Sequence, residues 1–170
     1  AVEVFGASRV IVGHDTRRSA FLLETALCAG ICAAGADVEL LGVVPTPAVA
    51  WAAAHGAVPG AMISASHNPF ADNGIKLFAP GGLKLTDETE ARIQARFLEL
   101  LDGAATSDPS HGAVTGAAVG SLASGATVDI DGWVDAVCGS IAPRRLDGLR
   151  LVVDCANGAA HELGPRILRR

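Results

Sequence analysis

Between residues 61 and 78 the chain reads AMISASHNPFADNGIKLF, gathering Ser64, Ser66, His67, Asn68 and Lys76 into one short stretch. Small polar side chains beside cations can line a site for a phosphate group, which a few local positive charges suffice to hold. A second polar stretch, HDTRRS at 14–19, brings Arg17 and Arg18, whose planar guanidinium forks match phosphate oxygens. Serine hydrolysis is the weaker reading. A nucleophilic serine needs a glycine-flanked elbow and an oriented base, and His67, adjacent in sequence, points elsewhere along the backbone. The plainest alternative is turn chemistry alone, since Asn-Pro and Asp-Asn-Gly are common turn formers. His14, His55, His111 and His161 show no metal-ligand spacing and read as surface or supporting residues.

Two polar loops of this kind need a scaffold that brings them together. RVIVG (9–13) is a β-branched apolar run ended by glycine, a buried strand. Ala20, Leu23, Leu27 and Ile31 then form one helical stripe, closed by Gly35. DVELLG (37–42) is a second strand. PTPAVAWAAAHG follows as a helix, with Thr46 as N-cap, Pro47 as first helical residue and Gly56 as its end. GAMIS (60–64) and GIKLFAP (74–80) are the third and fourth strands, and TDETEARIQARFLELL (86–101) is an amphipathic helix capped by Thr86.

Alternating strands and helices predict an α/β fold, with parallel pairing and helices packed on the sheet faces. The link from the third strand to the fourth is too short for a crossover helix, so that pair should be antiparallel and the sheet mixed, mostly parallel. Ligands of such sheets bind beyond the carboxyl ends of the strands, where both polar loops begin. Ile75 and Leu77 share one side of their strand, so Lys76 faces the other; a tight return of the loop would set it beside the serines. Residues 103–127 are rich in Gly, Ala, Ser and Thr and read as loop or linker, with AVGSLA as an edge strand. DIDGWVDAVCGSIA (129–142) is a helix, and a new strand at 149–153 starts a βα unit that runs to the last residue. The expected organisation is one layered α/β domain over 1–147 and the first βα unit of a second α/β domain over 148–170.

At 170 residues and 50% hydrophobic, the chain can bury a substantial core, built from Ala, Val, Leu and Ile because only 4% of residues are aromatic. A formal net charge of -5, with no Lys/Arg run and no aromatic stacking platform, argues against nucleic-acid binding. Local cations can still hold a small anion. Cys28, Cys32, Cys138 and Cys155 form no CxxC pair and read as core thiols of a reduced, cytoplasmic protein. No stretch reaches the length of a membrane span, and the first residues carry no signal-peptide pattern.

SASHNP followed by DNGIK resembles the active-site signature of the α-D-phosphohexomutase family, with Ser66 in the place of its phosphorylated serine. VGHDTRRS is similar to the family's first-domain phosphate loop, PTPAVA to the segment ahead of the catalytic strand, and LRLVVDCANGAA to the start of domain 2. The matching segments keep their order and cover the chain apart from 103–127. The resemblance implies an α/β/α first domain lacking its N-terminal strand, and a second domain cut short. Within the family the chain is most similar to bacterial members acting on glucosamine phosphates. That implies interconversion of glucosamine 6-phosphate and glucosamine 1-phosphate through a phosphoserine and a bisphosphorylated sugar, supplying UDP-N-acetylglucosamine for peptidoglycan.

On the same resemblance Ser66 carries the phosphoryl group and lends a phosphate oxygen to Mg²⁺. Arg17 steadies the charge, Lys76 moves a proton or neutralises charge, and His67 and Asn68 shape the loop or touch the phosphate. Ser64, at the signature's variable first Ser/Thr position, is expected to hydrogen-bond the loop. The family's Asp-Gly-Asp-type metal loop does not occur in this sequence, and Asp154 in VVDCANG is a lone acid rather than a metal ligand. The remaining Mg²⁺ ligands are expected beyond the chain end, and the chain alone is expected to be inactive. Phosphomannomutase or phosphoglucomutase activity stays open, as do a non-catalytic phosphosugar-binding domain and a homo-oligomer formed through domain 1.

Overall fold

The computed structural model describes residues 1–105, 114–124 and 129–170; His111 and parts of the 103–127 stretch lie outside the described residues. After one helical turn, α1 (Val2–Phe5), the chain forms β1 (Arg9–His14), α2 (Ala20–Ala33), β2 (Asp37–Val43), α3 (Thr46–Gly56) and β3 (Gly60–Ile63). Then come β4 (Ile75–Phe78), α4 (Asp87–Ala105), β5 (Leu122–Ser124), α5 (Ile130–Gly139) and α6 (Leu163–Leu168). The strands make one sheet in the order β4-β3-β1-β2-β5. β1 pairs in parallel with β2 and with β3, and β2 with β5, while β3 and β4 are antiparallel. The mixed, mostly parallel sheet expected from the sequence is therefore present.

β1 reads as an unbroken apolar run because helices cover both of its faces. On one face Val10 and Val12 pack with Ala20, Cys28 and Ile31 of α2. On the other, Met62 and Phe78 pack with Val49 and Ala53 of α3, Trp133 and Val134 of α5, and Leu163 of α6. α3 sits close to the sheet. A Cβ added to Gly13 would lie 2.7 Å from Val49 Cγ2 and 2.8 Å from Val44 Cγ2, so glycine is required there.

Three local expectations need correction. The cap of α3 is Pro45, not Thr46; Pro45 has the extended backbone of a cap (φ -71, ψ 151), and Thr46 lies inside the helix without a side-chain capping bond. Pro47 still fits, because first-turn N–H groups have no intrahelical partner. The expected stripe of α2 does pack on the core, with Leu23 and Leu27 partly buried against it, but it is wider than expected because Glu24 and Cys28 are buried beside them. The third correction is larger. Residues 149–153 form no strand, and Leu149, Leu151, Val152 and Val153 are all exposed. A strand exists only through a ladder partner, and no described segment pairs with this one. The C-terminal segment is held instead through α6, whose Arg166 pairs with Asp131 of α5 and is followed by an Arg170–Asp135 pair. By contrast Thr86 does cap α4, accepting the Thr89 N–H at 3.3 Å. Among the described residues no helix is long and apolar enough to cross a membrane.

Candidate active site

β1 is the switch point of the sheet: its successor β2 lies on one side and β3 on the other, so the loops leaving β1 and β3 open over one crevice. The register pairs His14 with Ile63, which sets the two strand ends level.

Asp15, the first residue past β1, is 8% exposed. Its N–H donates to the Ile63 carbonyl at 3.0 Å. Its Oδ1 accepts the Arg17 N–H at 3.0 Å, and its Oδ2 accepts Arg17 Nε at 3.0 Å and the Ser64 hydroxyl at 2.7 Å. A carboxylate survives burial only when paired and hydrogen-bonded in this way. Asp15 thus joins the two polar loops. The sequence reading rests on Arg17 and Arg18 and assigns Asp15 no role; the available signal is an acid directly after an apolar run, a pattern repeated at Asp154.

Arg17 has five N–H donors. Nε goes to Asp15, and the terminal nitrogens donate to the carbonyls of Ser66 (2.8 Å), Asn68 (2.9 Å), Asp72 (3.0 Å) and Pro69. Every donor is committed. The fork expected to grip phosphate is closed on the loop's own backbone, and a phosphate on Ser66 would feel its charge through space. Arg18 is exposed and has no ion pair among the described residues.

Ser66 sits at the tip of the loop with its side chain exposed and φ at 56, a left-handed conformation that non-glycine residues adopt only under constraint. The constraint comes from both sides. Its N–H donates to Ser64 Oγ at 3.0 Å, and its carbonyl accepts from Arg17. The base of the loop is closed by Ser64 N–H to the Gly74 carbonyl (2.8 Å), and Asn73 Nδ2 donates to Ser19 Oγ (2.9 Å). His67 Nδ1 stands 3.4 Å from Ser66 Oγ, at the outer limit of a hydrogen bond. Asn68 contributes its carbonyl to Arg17, and its N–H donates to the Ala65 carbonyl at 3.1 Å.

Lys76 is placed differently. It lies exposed on β4 opposite Met62, has no ion pair among the described residues, and lines a groove of about 530 Å³ with Leu77, Lys84, Leu85 and Phe97. The structure therefore gathers Ser64, Ser66, Arg17, His67 and Asn68, and leaves Lys76 on the returning strand. The crevice also reaches the C-terminal segment: Thr16 Oγ1 donates to the Asn157 carbonyl at 2.6 Å.

For a metal, the described residues offer no cluster of three or more His, Cys, Asp or Glu. Both oxygens of Asp15 are filled, and Asp154 Oδ1 accepts the Ala156 N–H at 2.8 Å. These side chains do not fit an octahedral Mg²⁺ cage by themselves.

Residues 1–102 match the family model described as phosphoglucomutase/phosphomannomutase, alpha/beta/alpha domain I. The phosphoglucosamine mutase of Parafrankia sp. (strain EAN1pec) is 51% identical over 163 residues, which cover 94% of this chain and 33% of that protein. The phosphoglucosamine mutase of Brucella anthropi is 50% identical over 165 residues, covering 95% of this chain and 34% of that protein. The chain thus spans about a third of the length of the curated relatives it matches. The crystal structure of a phosphoglucomutase/phosphomannomutase family protein from Burkholderia thailandensis superposes with a TM-score of 0.73 at 30% identity, over 99% of this chain and 35% of that one. With domain I matched and a serine loop clamped by arginine at the switch point of its sheet, the chain belongs to the phosphoglucomutase/phosphomannomutase family.

Proposed function

We propose that the chain supplies the phosphoryl-carrying part of a phosphosugar mutase that interconverts glucosamine 6-phosphate and glucosamine 1-phosphate, with Ser66 as the carrier. The observation behind this reading is the Ser66 hydroxyl, exposed at φ 56 on a loop that a single guanidinium holds in shape. Relatives named phosphoglucosamine mutase at about half identity favour this sugar over mannose or glucose phosphates. The proposed setting is the cytoplasm and the supply of peptidoglycan precursors, with residues 1–147 as the first α/β/α domain and 148–170 as the start of the second.

The free hydroxyl oxygen of the sugar monophosphate attacks phosphorus on Ser66. A sugar O–P bond forms as the P–Oγ bond breaks, and the hydroxyl proton passes to a base. The bisphosphate then turns over, Ser66 Oγ attacks its other phosphorus, and the leaving sugar oxygen takes back a proton as the isomeric monophosphate departs. A phosphoserine brings about -1.5 to -2 charges to the loop. Arg17 offsets that charge through space while its donors keep the loop closed. Lys76 is assigned the proton transfer or a second counter-charge, His67 a hydrogen bond to Oγ, and Asn68 a contact to the phosphate. Mg²⁺, bound through a phosphate oxygen on Ser66, would supply further charge neutralisation.

The test is peptide mass spectrometry of the intact gene product that carries this chain, after incubation with glucose 1,6-bisphosphate and Mg²⁺. One phosphate on Ser66 is expected; phosphate on Ser64, or on neither serine, overturns the carrier. In the intact gene product, faster turnover of mannose or glucose 6-phosphate than of glucosamine 6-phosphate would move the sugar assignment.

A further inference from the structure

Asp15 organises both loops, and the orientation of its peptide rests in turn on the residue before it. The Asp15 carbonyl can only accept, so the ring nitrogen 2.7 Å away, His14 Nδ1, carries the hydrogen. The other ring nitrogen, Nε2, faces Glu24 Oε1 of α2 at 3.7 Å. Glu24 is 8% exposed on the core-facing side of its helix, and its Oε1 has no hydrogen-bond partner. An unsatisfied buried carboxylate oxygen weakens a core, and an apolar side chain at this position would serve packing better. With Nδ1–H committed, a hydrogen bond to Glu24 needs a second hydrogen, on Nε2 of the imidazolium, and a closure of under about 1 Å.

We propose that His14 and Glu24 form a positioning pair for the phosphoryl-carrying loop. Glu24 orients the imidazole from α2, and His14 Nδ1–H fixes the Asp15 peptide so that its carboxylate is aimed at Arg17 and Ser64. With its N–H on Ile63, its carbonyl on His14 and its carboxylate on Arg17 and Ser64, Asp15 has every polar group engaged. Removing the imidazole frees one of these anchors, and the loosened peptide passes the slack to the Arg17 fork and on to Ser66. Neither member of the pair touches Ser66; both act through Asp15. The functional side of this inference rests on Ser66 being the phosphoryl carrier.

Amide and side-chain hydrogen exchange on the ¹⁵N-labelled chain tests it. His14→Ala should speed exchange of the Ser66 N–H and the Arg17 Nε–H by about fivefold, the effect of losing one intramolecular hydrogen bond. His14→Asn, whose side-chain amide can take the Nδ1 position, should recover most of that protection. Glu24→Gln, which keeps the shape, should move the His14 ring-nitrogen resonances. Unchanged exchange at Ser66 and Arg17 in folded His14→Ala overturns the proposal, as do unchanged His14 resonances in Glu24→Gln. The second result decides the matter alone if His14→Ala does not fold. Phosphate uptake from glucose 1,6-bisphosphate is read in parallel. Uptake that fails at Ser66 in the unaltered intact gene product removes the carrier and leaves the exchange result standing as a test of the pair.

Discussion

Replacing Arg17 with lysine keeps the charge, removes the fork, and so separates the two things this residue does. The Arg17 and Asp15 side chains are 9% and 10% exposed. In Arg17→Lys a compact ammonium with three donors must replace five N–H groups set in fixed directions. The carbonyls of Ser66, Asn68, Pro69 and Asp72 belong to exposed residues and can turn to water. Losing two of them therefore costs about 0.5 kcal/mol each, the low end for a hydrogen bond. The Asp15 carboxylate cannot turn to water, and weakening its charge-assisted contact costs about 1.5–3 kcal/mol. Together these give roughly 2.5–4 kcal/mol. At about 2–4 °C per kcal/mol for a domain of this size, the thermal midpoint should fall by roughly 5–16 °C. The loss falls first on the loop, so Ser66 N–H exchange should accelerate by at least about 50-fold, the equivalent of the lower bound. Calorimetry and hydrogen exchange on the same sample check both. A midpoint within about 2 °C of the unaltered chain, with loop protection intact, would show that the fork does not shape the loop.

Ser66→Gly should leave the thermal midpoint within about 2 °C, because relief of the left-handed backbone offsets the added freedom of glycine in the unfolded chain. Phosphate uptake should vanish in that variant, and uptake persisting at the same peptide would refute the carrier. Asp37 accepts the N–H and the hydroxyl of Ser121, both at 2.7 Å, and these hydrogen bonds hold its carboxyl below the ordinary range. A depressed value makes this tether complete above the unfolded carboxylate value of about 4 and lost as pH falls through the lower folded value. Exchange along β5 should therefore rise below about pH 4, and a profile flat down to denaturation would contradict the tether. Burial, with the nearby charges of Glu24 and Cys32, pushes the Cys28 thiol up to about 11. At pH 8 about one Cys28 in a thousand would be thiolate, against about one in four for a free thiol, so iodoacetamide should label it over about 100-fold more slowly than in urea. Equal rates would place Cys28 outside the core.

The central strands were legible because a strand covered on both faces must be apolar throughout, as Val10, Ile11 and Val12 are. The antiparallel β4 followed from a link too short for a crossover. The role of Asp15 was not legible, since its partner Ser64 lies 49 residues away and only folding brings them together. Nor could the commitment of Arg17 be foreseen. Four of its acceptors are backbone carbonyls, which every residue type possesses, so side-chain identity carries no trace of them. Residues 149–153 show the opposite failure. LRLVV has the composition of a strand, but composition cannot supply the neighbour that a ladder requires.

The loop holds two serines, and its geometry decides between them. Ser64 Oγ is used twice, donating to Asp15 and accepting the Ser66 N–H. A phosphate there would break both contacts and set a dianion against a buried carboxylate whose oxygen now lies 2.7 Å from that hydroxyl. Ser66 Oγ faces the opposite situation. It is exposed, its one neighbour at hydrogen-bond range among the described residues is the His67 ring, and the Arg17 guanidinium is already fixed by five acceptors. The loop is therefore ordered by its own hydrogen bonds on folding, so that under the proposed role the hydroxyl would not have to be positioned by its substrate. A left-handed serine is an unfavourable conformation to maintain, and here two partners maintain it, Ser64 and Asp15-anchored Arg17. The buried acid after β1 thus occupies the Ser64 hydroxyl and, through Arg17, holds the loop that leaves the Ser66 hydroxyl exposed, which is what the proposed carrier role requires.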